Sequence, residues 1–361
     1  MLKDLLESIS SEPEITDILI KEGEPVWVRV GGLLKRVERG GSIGREAMLD
    51  LIKRNEAQTG IIAAKINMAL EGQGDVDFAI KAGEVRFRGN LYWTNGKRIA
   101  LALRKLAEAP PALASLGLPP AYEELLGQSK GLILVTGATG SGKTTTLAAS
   151  LEHLNASRQG HIITLEDPVE YILKSRKCLI DQRQIGRDTK SFNVGLRAAL
   201  RQDPDILLVG ELRDFDTVKT ALDAANTGHL VLATLHTNSA QQSIERLTSF
   251  FSADKREWAH AVLSQALIGI VSQVLARPLS GTGRKLVAEL LVATSDVKNS
   301  VREGKTFQLF NIMDTGSAKG HVLLNNALKN LVLKGEISAE EALYCTYAPA
   351  LLKKELQNAK R

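Results

Sequence analysis

Cysteine is scarce. Only Cys178 and Cys345 occur among 361 residues, too few for a tetracysteine zinc module, so no zinc is expected. Isolated thiols suit a reducing compartment rather than a disulfide framework. Aromatic residues make up 4% of the chain, which leaves little for the stacking platforms of single-strand nucleic-acid channels; a nucleic-acid partner is not expected. No apolar run approaches the roughly 20 residues of a membrane-spanning helix. Residues 1–13 are polar, without the apolar core of a secretory signal, and a cytoplasmic location is expected. Neither sign of charge dominates. The net charge of +5 permits contact with an anionic surface without demanding it. Internal repeats and low-complexity tracts are missing. What is present, 44% hydrophobic and 24% charged residues, is the composition of a globular protein, and the length favours two domains.

The chain organises around residues 137–144. Gly137-Ala138-Thr139-Gly140-Ser141-Gly142-Lys143-Thr144 fits the phosphate-binding loop pattern G-x-x-x-x-G-K-[ST]. Residues 132–135 before it read as a short buried strand. Residues 145–154 after it, beginning at Thr145, read as a helix free of Gly and Pro. Several backbone N–H groups must converge on one polyphosphate, and Gly137, Gly140 and Gly142 permit the bare, tight loop this needs. The helix behind adds the positive end of its dipole. Lys143 is placed to reach the β- and γ-phosphates, and the Thr144 hydroxyl to ligate Mg²⁺. An ordinary glycine turn is the competing reading, and the complete motif with both flanks weighs against it. The chain is expected to bind ATP or GTP.

Residues 1–106 read as a small α+β domain. A helix is expected at 2–9, strands at 17–20, 26–30 and 33–37 with a Gly31-Gly32 turn, helices near 45–54 and 58–70, then strands at 75–80, 85–92 and 98–103. Arg86, Arg88, Arg98 and Arg104 fall in the last two strands. Arginines on a sheet face are commonly just solvated; the functional reading is that some of them stabilise charge on a γ-phosphate. Residues 107–120, with Pro110-Pro111 and Pro119-Pro120, read as a stiff linker.

From 121 to 361 strands and helices alternate, the pattern of a RecA-like parallel sheet. A strand at 161–165 ends on Glu166. A hydrophobic strand at 205–209 ends on Gly210-Glu211, the Walker B shape, with Gly210 where an Asp is usual. Acids at the C-terminal ends of parallel strands sit where open α/β sheets bind ligands. Glu166 is a candidate for orienting the attacking water or holding Mg²⁺ through water, against the plain alternative of a loop or capping carboxylate. Glu211 then carries the metal-side charge alone. His229 and His236 bracket the strand at 229–235. A lone histidine is most often structural, but His236 falls at the strand end shared with the two acids. From about 254 the chain reads as helical, with one further strand at 287–292.

Four motifs in this order resemble those of the secretion-type ATPases, and most closely the PilT pilus-retraction ATPases. They are the phosphate loop continued by Thr145-Thr146; the "Asp box" Thr164-Leu165-Glu166-Asp167-Pro168-Val169-Glu170; the Walker B segment at 201–214, whose Gly210 is the family's own form; and the "His box" at 227–237. Asp17-Ile18, Arg29-Val30, Gly32 and Arg86-Phe87-Arg88-Gly89-Asn90 resemble the family's PAS-like N-terminal domain. The resemblance implies an ATPase with ATP and Mg²⁺ held between two domains, and a homohexameric ring in the cytoplasm, peripheral to the inner membrane, that drives a pilus or secretion platform protein there. It implies Arg88, Arg98 and Arg104 as γ-phosphate-sensing arginines, and through the His box it puts His229 with the nucleotide-binding residues. Extension and type II secretion relatives are longer and usually carry a tetracysteine module, which argues for a retraction motor and twitching motility. Residues 297–305 sit where PilT proteins carry a retraction motif and depart from its usual Ala-Ile-Arg pattern, so a PilT-like ATPase of a type IVB secretion or conjugative pilus system is the alternative. A RecA-like nucleic-acid motor and a non-hydrolysing nucleotide-gated scaffold are the readings of other classes.

Overall fold

The computed structural model describes residues 2–359 apart from 11, 13, 31–32, 55–73, 84, 97, 107 and 282. The Gly31-Gly32 turn and the helix expected near 58–70 lie outside the described residues. Contacts divide the chain into two units: Met1–Ala109 with Pro168–Ile172 and Gly186–Asp188, and the remainder from Pro110 onward.

The first unit holds a six-stranded antiparallel sheet in the order β3-β2-β1-β6-β5-β4, built from β1 (Ile15–Lys21), β2 (Trp27–Val30), β3 (Leu33–Arg36), β4 (Val76–Ala82), β5 (Val85–Thr94) and β6 (Arg98–Lys105). Alternation sets its faces, because successive side chains of a strand point to opposite sides. On β5, Phe87 and Leu91 are buried while their neighbours are half-exposed. They join Ile18, Ile20 and Leu101 in a core closed by Leu6 of helix α1 (Leu2–Ser10) and Met48 and Ile52 of α2 (Arg45–Arg54).

The second unit is the larger and has the RecA-like architecture. Seven strands run in the order β13-β12-β7-β11-β10-β8-β9: β7 (Gly131–Thr136), β8 (Gly160–Glu166), β9 (Cys178–Gln184), β10 (Ile206–Val209), β11 (Leu230–Leu235), β12 (Leu267–Ala276) and β13 (Lys285–Val292). All pairings are parallel except that of β12 with β13. Every residue of β7, β10 and β11 is buried, as expected of parallel strands covered on both faces. Leu132, Leu134, Ile163, Leu165, Leu207, Val209, Val231 and Ala233 form one continuous core with Leu196 of α5 (Phe192–Ala199), Val218 and Leu222 of α6 (Phe215–Thr227), Ile244 of α7 (Ala240–Ser249) and Leu263 of α8 (Arg256–Ala266). The helix after β7 is α4 (Lys143–Ser157), preceded in the chain by the short α3 (Ala121–Leu126).

The strand β12 corrects the expectation that the chain turns helical after 254. Helix α8 ends at Ala266 and β12 begins at the next residue, with no Gly or Pro between them. Seven of the ten residues of β12 are buried, so the strand shows little alternation and its apolar run continues the helical pattern without a visible break. The strand β9 and helix α7 were not foreseen either. On β9 only Cys178 is fully buried, so this edge strand carries almost no hydrophobic signal. Helices α9 (Ser295–Arg302), α10 (Leu309–Thr315), α11 (Leu324–Leu333), α12 (Ala339–Cys345) and α13 (Pro349–Asn358) complete the chain. Leu328, Ile337, Ala342 and Leu352 of this tail pack with Ala276 of β12 and Val287 of β13.

Candidate functional site

The loop at 137–142 joins the C-terminal end of β7 to the first residue of α4. Gly137, Gly140 and Gly142 have φ of +145°, +80° and +90°, a region that side chains other than glycine's rarely tolerate. Gly137 is also the tightest point: a Cβ there would lie 2.4 Å from the Gln273 carbonyl oxygen and 2.5 Å from Ser141 Oγ. Gln273 of β12 donates from Nε2 to the Ser141 carbonyl oxygen at 2.7 Å and so clasps the loop from the neighbouring strand. The Lys143 ammonium donates to the carbonyl oxygens of Gly137 at 2.8 Å and Ala138 at 3.1 Å. Burial pushes its pKa below the ordinary lysine value, and the charge of Glu211 opposes that shift. Ala138, Thr139 and Gly140 form the exposed rim, and Thr144 and Thr145 lie half-buried in the first turn of α4.

This loop fits a nucleotide's phosphates. Ser141 Oγ and Thr146 Oγ1 are buried without hydrogen-bond partners among the described residues, and unpaired buried polar atoms call for a ligand atom or water. Mg²⁺ is bound to few protein groups in such sites, the rest being water and phosphate oxygens. No cluster of three or more His, Cys, Asp or Glu side chains able to hold a metal occurs among the described residues. Beside the loop a cavity of about 910 Å³ is lined by Thr145, Thr146, Leu116, Pro119, Arg284 and Leu331, among others.

The two acids arrive on adjacent strands. Leu165 and Val209 are register partners, and Gly210 N donates to the Leu165 carbonyl oxygen at 2.8 Å. Glu166 at the end of β8 is buried, and its Oε1 accepts from Thr164 Oγ1 at 2.6 Å and Gln182 Nε2 at 3.0 Å. Glu211 Oε2 lies 2.7 Å from Arg213 Nη2 and 3.4 Å from His236 Nε2. Burial pushes the Glu211 carboxyl upward, but hydrogen bonds and charge from Arg213 and His236 outweigh it and hold the group below the ordinary glutamate value. Gly210 also has a steric reason. A Cβ there would sit 2.9 Å from the Leu165 carbonyl oxygen and 3.5 Å from Glu166 Cα, so an aspartate has no room between the two strand ends.

Glu166, Glu211 and His236 thus come together at the edge of the sheet that carries the phosphate loop. His229 does not. It precedes β11, while His236 follows it, and seven residues of extended chain separate their backbones by roughly 20 Å. His229 Nδ1 bonds to the Ala224 carbonyl oxygen at 3.1 Å, and its own carbonyl accepts from Gly131 N at the start of β7. It therefore sits at the far edge of the sheet from the loop of its own chain. The arginines of the first unit divide too. Arg88 and Arg104 are cross-strand partners, whereas Arg98 pairs with Thr94 at the other end of β6, roughly 20 Å away by strand rise. Arg104 bonds to Asp17 Oδ1 at 2.9 Å. Arg86 donates to the Val169 and Glu170 carbonyl oxygens at 3.0 Å each.

Sequence reasoning missed Arg213, Gln182, Thr164 and Gln273. Arg213 stands two residues after Glu211 and was readable. Gln182 and Gln273 lie on the two unforeseen strands, so no local pattern pointed to them.

The sequence profile of the family described as "Type II/IV secretion system protein" matches residues 62–344. The type IV pilus retraction ATPase PilT of Pseudomonas aeruginosa is 37% identical over 341 residues, covering 93% of this chain and 96% of that protein. The uncharacterized protein YggR of Escherichia coli is 47% identical over 265 residues, 73% of this chain and 81% of that one. A crystal structure of the pilus retraction motor PilT with bound ADP superposes with a TM-score of 0.86 at 40% identity, covering 97% of this chain and 99% of its own. The family profile covers most of the chain and PilT is matched along nearly its whole length, so the chain belongs to the PilT-type ATPases of the type II/IV secretion system protein family.

Proposed function

We propose that this chain is a motor that couples ATP hydrolysis to type IV pilus dynamics, with retraction the preferred direction. The observation that carries the reading is the convergence of Glu166, Glu211 and His236 on the loop edge of one sheet. Lys143 and the N–H groups of the loop and of the first turn of α4 hold the phosphates. The cavity beside Thr145 receives the base and ribose. Glu166 orients water for in-line attack on the γ-phosphorus, the bond to the β–γ bridging oxygen breaks to release ADP, and the water's proton passes late to an oxygen of the new phosphate, as suits a loose transition state. His236 and arginines of the Arg88, Arg98 and Arg104 set stabilise charge on the transferred group. Mg²⁺, held by the Thr144 hydroxyl and by Glu211 through water, would supply further neutralisation of phosphate charge when bound.

The chain is further proposed to act as a homohexamer on a platform protein at the inner membrane, from the cytoplasmic side. No helix among the described residues is long and apolar enough to cross a membrane, and pilus retraction by the similar proteins supports the partner class. Steady-state phosphate release tests the chemistry: Lys143→Ala is expected to abolish turnover, and retained turnover would refute the site. Deletion in the native host tests the direction. Accumulated surface pili support retraction, and unaltered pili with failure of another transfer process support the secretion or conjugative alternative.

A further inference from the structure

We infer that Gln182, together with Thr164, is the positioning residue that sets the orientation of the Glu166 carboxylate. The inference rests on the proposed role of Glu166. Thr164 and Gln182 are register partners on β8 and β9. Thr164 and Glu166, two residues apart on one strand, share a face of the sheet. The three side chains therefore meet on one face, at the strand ends nearest the loop.

The direction of each hydrogen bond is fixed by chemistry. Gln182 Oε1 accepts from Leu173 N at 2.8 Å, and Gln182 Nε2 donates to Glu166 Oε1 at 3.0 Å. A backbone N–H can only donate and an ionised carboxylate can only accept, so the amide has one possible orientation. Thr164 Oγ1 spends its single proton on the same oxygen, Glu166 Oε1, at 2.6 Å. Two donors on one carboxylate oxygen stop the group from rotating about its last bond and so fix the direction of the other oxygen. Orientation of this kind is what a water-aligning group needs, because misplacement by about 1 Å costs on the order of a hundredfold in rate. Thr164 is fully buried and has no water to replace this bond. Gln182 is half-buried on an edge strand that has little else to pack, and its polar contacts are all the more informative for that.

A structural role for Gln182 is the competing explanation, since it also receives Leu173 N. Gln182→Glu separates the two. It has the same shape and keeps an oxygen for Leu173 N, but it replaces the donor facing Glu166 with a second carboxylate. Phosphate release and Mg·ADP binding by calorimetry are measured on the full chain for Gln182→Glu, Gln182→Ala, Thr164→Val and Glu166→Gln, with thermal melts to confirm folding. The expected result is a fall in kcat of about tenfold or more in the first three variants, the size of one charge-assisted hydrogen bond, with Mg·ADP affinity within about twofold of the parent. Wild-type kcat in folded Gln182→Glu overturns the proposal while leaving the Glu166 reading intact. So does a loss confined to nucleotide affinity. Wild-type kcat in Glu166→Gln overturns both.

Discussion

Gly210 offers the sharpest quantitative test. An ordinary Walker B strand ends in an acid at this place, so Gly210→Asp is the substitution that a motif comparison would call restorative. The packing says the opposite. Even the Cβ of Gly210→Ala would lie 2.9 Å from the Leu165 carbonyl oxygen and 3.3 Å from the Phe192 ring. Leu165 is held by the β8–β10 ladder and Phe192 is buried in the core, so neither can swing aside as a flexible side-chain tip would. Overpacking of this kind costs about 1–3 kcal/mol. For a unit of some 250 residues, each kcal/mol lowers the melting temperature by roughly 2–4 °C, so Gly210→Ala is expected to melt about 2–12 °C lower. Gly210→Asp adds a charge beside the buried Glu166 and is expected to fall further. Strand β10 can make room only by moving from β8, which separates Glu211 from Glu166, so turnover falls as well. Differential scanning calorimetry and phosphate release on the same preparations decide the matter. A Gly210→Ala protein with unchanged melting and turnover would refute the steric argument, and a faster Gly210→Asp enzyme would refute it outright.

Two further outcomes follow from groups elsewhere in the second unit. Glu289 on β13 is buried, and desolvation raises its pKa despite hydrogen bonds from Tyr347, whose hydroxyl lies 2.5 Å from Oε2, and from Ala240 N at 2.9 Å to Oε1. A folded pKa above the unfolded value means that its contribution to stability is full below the ordinary glutamate value of 4.5 and is lost as pH rises through the raised folded value. Gln cannot ionise, so the gain in stability of Glu289→Gln over the parent should grow as pH rises across that interval; an equal difference at all pH values in thermal melts would contradict the shift. Leu331 lines the cavity beside Thr145, and Leu331→Trp is expected to raise KM for ATP about tenfold with little change in kcat; an unchanged KM would show that base and ribose bind elsewhere.

Most of the fold was legible because its central strands are bounded by clear signals. The strand before Gly137 and those ending at Glu166 and Glu211 each close on a glycine or an acid, and the hydrophobic runs between them are short. The phosphate loop and its flanking elements came out as read. His229 was placed by its motif, whereas the intervening strand carries it to the far edge of the sheet from the loop of its own chain. The arginines were grouped by their nearness in sequence, but β6 carries Arg98 and Arg104 to opposite ends. The contacts that orient Glu166 and shape the loop come from β9 and β12, one nearly devoid of hydrophobic signal and the other merged into the helix before it. Tertiary pairing, which local patterning does not encode, placed them.

The clasp of Gln273 on Ser141 spans 132 residues of sequence, and this has a bearing on synthesis. Until β12 leaves the ribosome, β7 is an unpaired sheet margin and the glycine loop lacks the amide that holds its bend. A nascent chain ending before residue 267 therefore carries every residue of the phosphate motif and still has no formed site. Nucleotide capture therefore waits for the late-arriving β12, and a growing polypeptide cannot begin to burn ATP before that strand has paired with β7.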